Sequence, residues 1–205
     1  MYIPEIYNNE NSADIYDFIS KNGFGILVNQ TSGKPWATHI PLVLDSDPDG
    51  NWFLEGHISK DNPQCHSIEQ NQIVLSIFSG PHSYISSSWY DHENVPTWNY
   101  VAVHVYGTIK ILDLEKTILS LKKLTDKYEK QSENPVKVEN LSSKTMRQAN
   151  GIVAFQIEIE SIEAVKKLSQ NRDDKNYKNI ISELEKLQNT DAENLAVQMK
   201  NNRKM

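Results

Sequence analysis

Hydrophobic positions along this chain recur with two periods, and the changes of period mark its elements. In SADIYDFISKN (12–22), Ile15, Phe18 and Ile19 share one helical face, Ser12 is the expected N-cap, and Asn22-Gly23 is the stop. FGILVNQ (24–30) and WATHIPLVL (36–44) are predicted strands joined through TSGKP, an antiparallel hairpin by spacing and composition. DSDPDG (45–50) forces a further turn before the strand NWFLEGHI (51–58). Asn62 as cap and Pro63 at the first helical position predict a short helix over 63–70.

IVLSIFSG (73–80) has the apolar density of a buried strand. VPTWNYVAVHVYGTIKIL (95–112) is a long alternating one, with Val101, Val103 and Val105 on one side and Ala102, His104 and Tyr106 on the other. Asp113 is placed to cap a helix carrying Ile118, Leu121, Leu124 and Tyr128 at helical spacing. Residues 131–150 are polar and irregular, GIVAFQIEIESIEAV (151–165) returns to the strand period, and 173–202 is polar and helical with one stripe of Ile180, Ile181, Leu184 and Leu187.

Six or so strands in hairpin order, with helices inserted between them or at the end, predict a mainly β fold with peripheral helices (α+β), an antiparallel barrel. Strands that do not alternate with long helices argue against a doubly wound sheet. The expected organisation is one barrel domain over 1–165 and a helical extension over 166–205. A net charge of −6 over 205 residues argues against nucleic-acid binding through a broad basic surface, leaving DNA a weak candidate partner. The single cysteine, Cys65, excludes an intrachain disulfide framework. With no apolar run able to span a bilayer and no secretory pattern in MYIPEIYNNENS, the expected location is the cytoplasm, without a membrane.

The familiar catalytic signatures, among them G-x-G-x-x-G, H-E-x-x-H, C-x-x-C and G-x-S-x-G, are absent. In GHISKDNPQ (56–64) a strand ends in His57, Ser59 and Lys60 just before a helix capped by Asn62. A helix N-terminus beside a hydroxyl and an ammonium suits a phosphate, although polar turns before helices are common. WATHIPL (36–42) puts Thr38 and His39 at mid-strand, either as a satisfied core pair or facing a ligand, and Pro41 implies an edge where the ladder is open.

The stretch GPHSYISSSWYDHENVPTWNYVAVHVYG (80–107) gathers three histidines, two tryptophans and four tyrosines. His82, His92 and His104 lack metal-ligand spacing, so no metal is expected. Ser86, Ser87 and Ser88 with His82 or His104 and Asp91 would make a hydrolase only weakly, since no nucleophile elbow surrounds them. An aromatic, hydroxyl-rich surface suits a flat polar heterocycle or a protein interface.

MYIP, ATHIPL, GHISKDNPQ, GPHSYISSSWY, VPTWNYVAVHVYG and KLSQNR (167–172), met in this order along nearly the whole chain, resemble the PaiB family of FMN-binding, split-barrel negative transcriptional regulators. The resemblance implies a six-stranded split barrel, similar to pyridoxamine-phosphate oxidases and flavin reductases, that forms a homodimer with FMN at the dimer interface. It implies that Thr38, His39 and Ile40 run beside the isoalloxazine, and that His57, Ile58, Ser59, Lys60 and Asn62 meet the ribityl phosphate. Tyr84, Ser87 and Trp89 would approach the flavin from the partner subunit or line the interface, with Lys167 or Arg172 supplying charge to the flavin or a substrate. A sensor acting through a regulatory protein partner is one implied function, and a flavin-dependent oxidoreductase is the alternative. Haem binding, known among split-barrel relatives, leaves the 57–62 corner without a role.

Overall fold

The computed structural model describes residues 1–68 and 71–203. Among them seven strands form one sheet: β1 (Phe24–Thr31), β2 (Lys34–Pro41), β3 (Val43–Ser46), β4 (Trp52–Ser59), β5 (Ile73–Ile85), β6 (Thr97–Ile111) and β7 (Ile152–Lys167), in the order β2-β1-β5-β6-β7-β4-β3. The helices are α1 (Ser12–Lys21), α2 (Leu114–Glu129), α3 (Ser143–Met146), α4 (Asp174–Lys186) and α5 (Thr190–Asn202), with single tighter turns at Glu5–Tyr7, Pro63–Ser67, Ser87–Trp89, Val138–Asn140 and Arg147–Gly151. The chain divides into two compact units. One holds Met1–Phe18, Ser79–Val103 and the chain from Glu163 onward; the other holds Ile19–Phe78 and His104–Ile162, so β5, β6 and β7 contribute residues to both.

In the second unit, β1 and β2 pair antiparallel with Leu27 opposite Thr38, around a two-residue turn in which Ser32 (φ 51°) and Gly33 (φ 75°) both take the left-handed conformation such hairpins require. The expected strand over 36–44 breaks in two. Pro41 ends β2, and the Leu42 amide donates to Gly23 O at 2.7 Å, the position that extends the β1–β2 register by one, after which β3 begins. The break explains seven strands where six were expected. It also closes the barrel, because β2 and β3 lie at opposite ends of the strand order and only Leu42 joins them. The fold is therefore the expected antiparallel split-barrel type with peripheral helices.

Val101, Val103, Val105 and Ile109 of β6 are buried while the residues between them are half-exposed, as the alternation predicts. β7 answers with Phe155 and Ile157, both fully buried. In the first unit, α4 and α5 pack their apolar stripes together: Tyr177, Ile180 and Leu184 against Leu195, Ala196 and Met199, with the Tyr177 hydroxyl donating to Met199 O at 2.7 Å. The predicted helical segment 173–202 is interrupted at Gln188 (φ 48°), where Asn189 restarts it by accepting from Ala192 N at 3.1 Å. Leu187, assigned to the stripe, is 48% exposed at this corner. Asn11, not Ser12, caps α1, accepting from Asp14 N at 3.1 Å. The short helix expected over 63–70 is the turn Pro63–Ser67, and positions 69–70 lie outside the described residues.

β6 and β7 approach so closely at Gly107 that a Cβ there would stand 2.2 Å from Glu158 O and 2.8 Å from Ile157 Cγ2. The obstacle is backbone, which cannot rotate away. Gly107→Ala should destabilise the protein by about 1–3 kcal/mol, read as a lower urea midpoint at unchanged m-value. An unchanged midpoint would show that β6 and β7 are less tightly joined than this.

Candidate functional site

β4 is buried on both faces. Leu54 and Ile58 point into the barrel, and a Cβ on Gly56 would lie 2.7 Å from Leu42 Cδ2 and 3.3 Å from Phe155 Cζ. Phe53, Glu55 and His57 turn toward α2, where Lys123 stands 5.4 Å from the centre of the Phe53 ring, 3.2 Å from Glu55 and 2.7 Å from Asp45. His57 enters a cavity of about 290 Å³ whose walls include Leu121, Thr125, Met146 and Gln148. Burial lowers its pKa from the ordinary 6.5, because the imidazolium loses hydration there.

The chain leaves β4 through Ser59 and Lys60 and turns at Asn62-Pro63-Gln64, and each of these last residues has a local role. Asn62 accepts from Gln64 N at 2.9 Å through Oδ1 and donates through Nδ2 to Thr38 Oγ1 of β2 at 3.0 Å. Pro63 occupies the first helical position, where no amide is needed. Gln64, fully buried, donates to Leu27 O at 3.2 Å and to Asn29 Oδ1 at 3.0 Å, which pins the turn to β1.

The backbone amides of this corner are satisfied within the chain: Lys60 N by Gly151 O, Asn62 N by Ser59 O, and Cys65 N by Asn62 O. The free helix N-terminus expected from GHISKDNPQ is therefore absent, and a single tight turn has little dipole. What remains for a phosphate is side-chain chemistry: the exposed Lys60 ammonium, which has no acidic partner among the described residues, and the exposed Ser59 hydroxyl. These fit the phosphate group of FMN.

Of the residues expected at the cofactor in this unit, Thr38 and Asn62 are brought into contact and His39 is exposed, its ring 6.1 Å from that of Phe24. Ile40 and Ile58 are core side chains, 6% and 2% exposed, and can offer a ligand only their backbone.

Tyr84, Ser87, Trp89, Lys167 and Arg172 belong to the first unit. Tyr84 meets the ring of Trp98 edge-on at 6.2 Å, and His82 lies 6.0 Å from the same ring. Trp98 is 53% exposed beside a cavity of about 350 Å³ that Tyr100 also lines. The alternation of β6, carried back two residues from Tyr100, puts Trp98 on this face; that was the signal available for it. Ser87 and Trp89 form a single turn capped by the Ser86 hydroxyl, which accepts from Ser88 N. Asp91 binds His92, Lys175 and Asn176, and its carboxyl is held far below the usual carboxylate range by the hydrogen bonds from Lys175, His92 and Asn176. With His82 turned to Gly80 O and Asp91 so engaged, the serines form no hydrolytic array among the described residues. Nor does any group of three or more His, Cys, Asp or Glu among those residues approach metal-binding geometry.

KLSQNR closes a tight loop. Lys167 donates to Thr97 Oγ1 at 2.6 Å, Ser169 exchanges hydrogen bonds with Asn99 at 2.9 and 3.2 Å, and Arg172 N donates to Ser169 O at 3.0 Å. Ser169 sits at φ 58°, a conformation that costs a non-glycine residue roughly 1–2 kcal/mol and that the two bonds to Asn99 help to hold. Arg172 lies over the Tyr90 ring at 5.1 Å.

A curled antiparallel sheet with the Lys60 ammonium and the Ser59 hydroxyl exposed at the end of β4 defines a flavin-binding split-barrel protein. The chain belongs to the FMN-binding PaiB family: the family model described as "Putative FMN-binding domain" matches residues 1–161, and FMN is the cofactor. The chain is 43% identical to "Protease synthase and sporulation protein PAI 2" of Bacillus subtilis, over 96% of this chain and 95% of that one. An uncharacterised protein of Emericella nidulans is 29% identical over 94% and 93%. Two solved structures share the fold: the FAD- and haem-binding protein of Mycobacterium smegmatis, with a TM-score of 0.61 at 14% identity over 78% of this chain and 73% of that one, and the flavocytochrome Anf3 of Azotobacter vinelandii, with 0.64 at 12% over 86% and 78%.

The lowered pKa of His57 has a defined consequence. Below pH 6.5 the unfolded chain takes up a proton at this residue that the folded chain resists, so stability falls as pH drops through that window. Thermal midpoints recorded from about pH 7.5 to 5.5 should fall less for His57→Gln than for the wild type. Parallel curves would show that His57 is not held neutral by burial.

Proposed function

We propose that the protein is a PaiB-type regulator that binds FMN as a homodimer in the cytoplasm, the flavin serving as a redox or ligand sensor. The observation that carries this reading is the corner where the Lys60 ammonium, without a carboxylate partner among the described residues, stands beside the Ser59 hydroxyl, with Asn62 tied to β2 by its hydrogen bond to Thr38. In it Lys60 and Ser59 hold the phosphate with His57 and Asn62 beside them, Ile58 contributes backbone, and Thr38, His39 and Ile40 run along the isoalloxazine. Tyr84, Ser87 and Trp89 come from the partner subunit or line the interface, and Lys167 and Arg172 supply charge to the flavin or to a ligand. Residues 166–205 act as a helical extension of the 1–165 barrel. The relative named for protease synthesis and sporulation supports a regulatory role. A net charge of −6 favours action through a protein partner over direct contact with DNA. No helix among the described residues is long and apolar enough to cross a membrane.

A second reading, a flavin-dependent oxidoreductase, is favoured by one feature. The exposed rings of Trp98 and Tyr84, with His82 beside them, offer a platform for a planar substrate. FMN when bound supplies hydride chemistry, and such an enzyme needs little more from the chain than orientation and exclusion of water.

Purified protein titrated with FMN should develop a bound-flavin spectrum at the mass of a dimer. Lys60→Ala should weaken that binding by about 1–3 kcal/mol, as loss of a charge-assisted contact does. Unchanged affinity would remove Lys60 from the phosphate site. Rapid anaerobic bleaching by NADH or NADPH would establish turnover and end a purely regulatory reading.

A further inference from the structure

We propose that the KLSQNR loop builds a binding pocket for a small oxyanion, the carboxylate or phosphate group of a substrate or effector. The proposal rests on the reading of Lys167 and Arg172 as ligand-binding residues and goes further by naming the chemistry they recognise. Lys167, Arg172, Thr97, Asn99, Ser169 and Tyr7 line a cavity of about 140 Å³ lying wholly within the first unit. At the ~30 Å³ that a water molecule occupies in the liquid, this is room for roughly four or five waters. A single oxyanion with a short tail fits; a flavin ring system does not.

The lining is polar throughout its buried part. Asn99 is fully buried and Ser169 is 4% exposed, and each is used by the other, which leaves their positions fixed. Lys167 and Arg172 are half-buried and cationic, and neither has a carboxylate partner among the described residues. The acids nearest in sequence are engaged elsewhere. Asp173 caps α4 through Asn176 N at 3.0 Å, Asp174 holds Arg203 at 2.9 Å, and Asp91 holds Lys175 at 2.8 Å. Two half-buried cations kept apart from acids, in a chain of net charge −6, leave a positive pocket in an otherwise acidic protein.

The two cations are also presented in complementary ways. Arg172 is steadied by the Tyr90 ring, and its own backbone is tied down at both ends: N to Ser169 O, and O by Arg203 Nη2 at 2.9 Å. Its guanidinium can therefore offer a planar fork of donors at small entropic cost. Lys167 donates one of its three hydrogens to Thr97, and the other two are free for a ligand oxygen.

The test is isothermal titration of inorganic phosphate and of acetate into the full protein, before and after FMN loading, at constant ionic strength made up with chloride. Phosphate, acetate or both should bind the wild type with one site per chain. Lys167→Met and Arg172→Gln should each weaken that binding roughly ten- to hundredfold, the loss expected of a charge-assisted contact. Lys167→Arg should restore most of it, and Lys178→Met, which removes an exposed cation elsewhere on α4, should leave it unchanged. Thermal unfolding of each variant separates lost binding from lost folding, and Lys167→Arg keeps the proposal falsifiable if the neutral variants are unstable.

No binding of either anion to the wild type would overturn the proposal, as would equal losses in Lys178→Met and Lys167→Met, which mark diffuse surface attraction. Phosphate binding abolished stoichiometrically by FMN would give the pocket to the cofactor and overturn it too. FMN affinity, measured by flavin fluorescence in the same samples, keeps the two readings apart. In the wild type, FMN binding without anion binding defeats only the pocket, and anion binding without FMN binding defeats only the cofactor site.

Discussion

One residue, Leu42, imposes the constraint on which the barrel unit depends. It alone connects β2 to β3, strands at opposite ends of the sheet order, so the sheet must curl until its two ends lie one residue apart. The crowding this creates is visible around it. A Cβ at Gly23 would stand 2.9 Å from Leu42 O, and one at Gly56 would stand 2.7 Å from its side chain. With both positions empty, the Leu42 amide reaches Gly23 O and its fully buried side chain reaches β4. The same curl lays Thr38 of β2 against Asn62 at the end of β4, so the corner with Lys60 and Ser59 is a consequence of closure as much as of local turn chemistry.

β4 then has no face left for solvent, and its two faces divide the work. Leu54 and Ile58 fill the barrel. Glu55, nearly buried, is tolerated because Lys123 reaches it from α2 while also holding Asp45. Burial alone would lower the Lys123 pKa, yet its bonds to the two carboxylates carry it above the ordinary value. A buried pair of this kind is costly to half-remove, since the partner left behind is an uncompensated charge. The cavity around His57 exists because α2, α3 and the turns of 138–151 roof this face, so a sequence region that reads as polar and irregular has a structural purpose.

Much of this was legible in the chain because period and punctuation agreed. The hairpin of β1 and β2, the alternation of β6, the Asp113 cap and the Asn62-Pro63 turn all formed where the residues indicated. The misses have local causes. Pro41 inside an apolar run signals an edge, and β2 does stand at one end of the sheet order; what the run does not reveal is that the strand ends there and Leu42 starts the crossing to another. Gly80-Pro81 looks like a stop, yet β5 continues to Ile85, and its pairing with β1 covers only Leu75–Ile77, so the proline costs that ladder nothing. In the polar segment after 173, Asn189 was one polar residue among many; only the left-handed Gln188 before it shows that the helix restarts there. At the site, the residue types around Lys60 were right and the physical reason was not, because whether a turn's amides are free depends on partners such as Gly151, far away in sequence.

Charge placement ties the two units' candidate sites to one principle. Most cations with a described partner sit on carboxylates: Lys122 on Asp126 and Glu139, Lys166 on Asp14, Lys175 on Asp91, Lys200 on Glu185. These pairs are exposed, and each contributes little to stability, about 0–1 kcal/mol. Their effect is to neutralise those cations, so that cations left without acids set the local potential where they stand beside polar groups. Lys60 is one, at an exposed corner beside a hydroxyl; Lys167 and Arg172 are two more, half-buried around Asn99 and Ser169. A ligand that carries negative charge is drawn to places where cations stand without a carboxylate partner, and in this chain two of those places are the GHISKDNPQ corner and the KLSQNR loop.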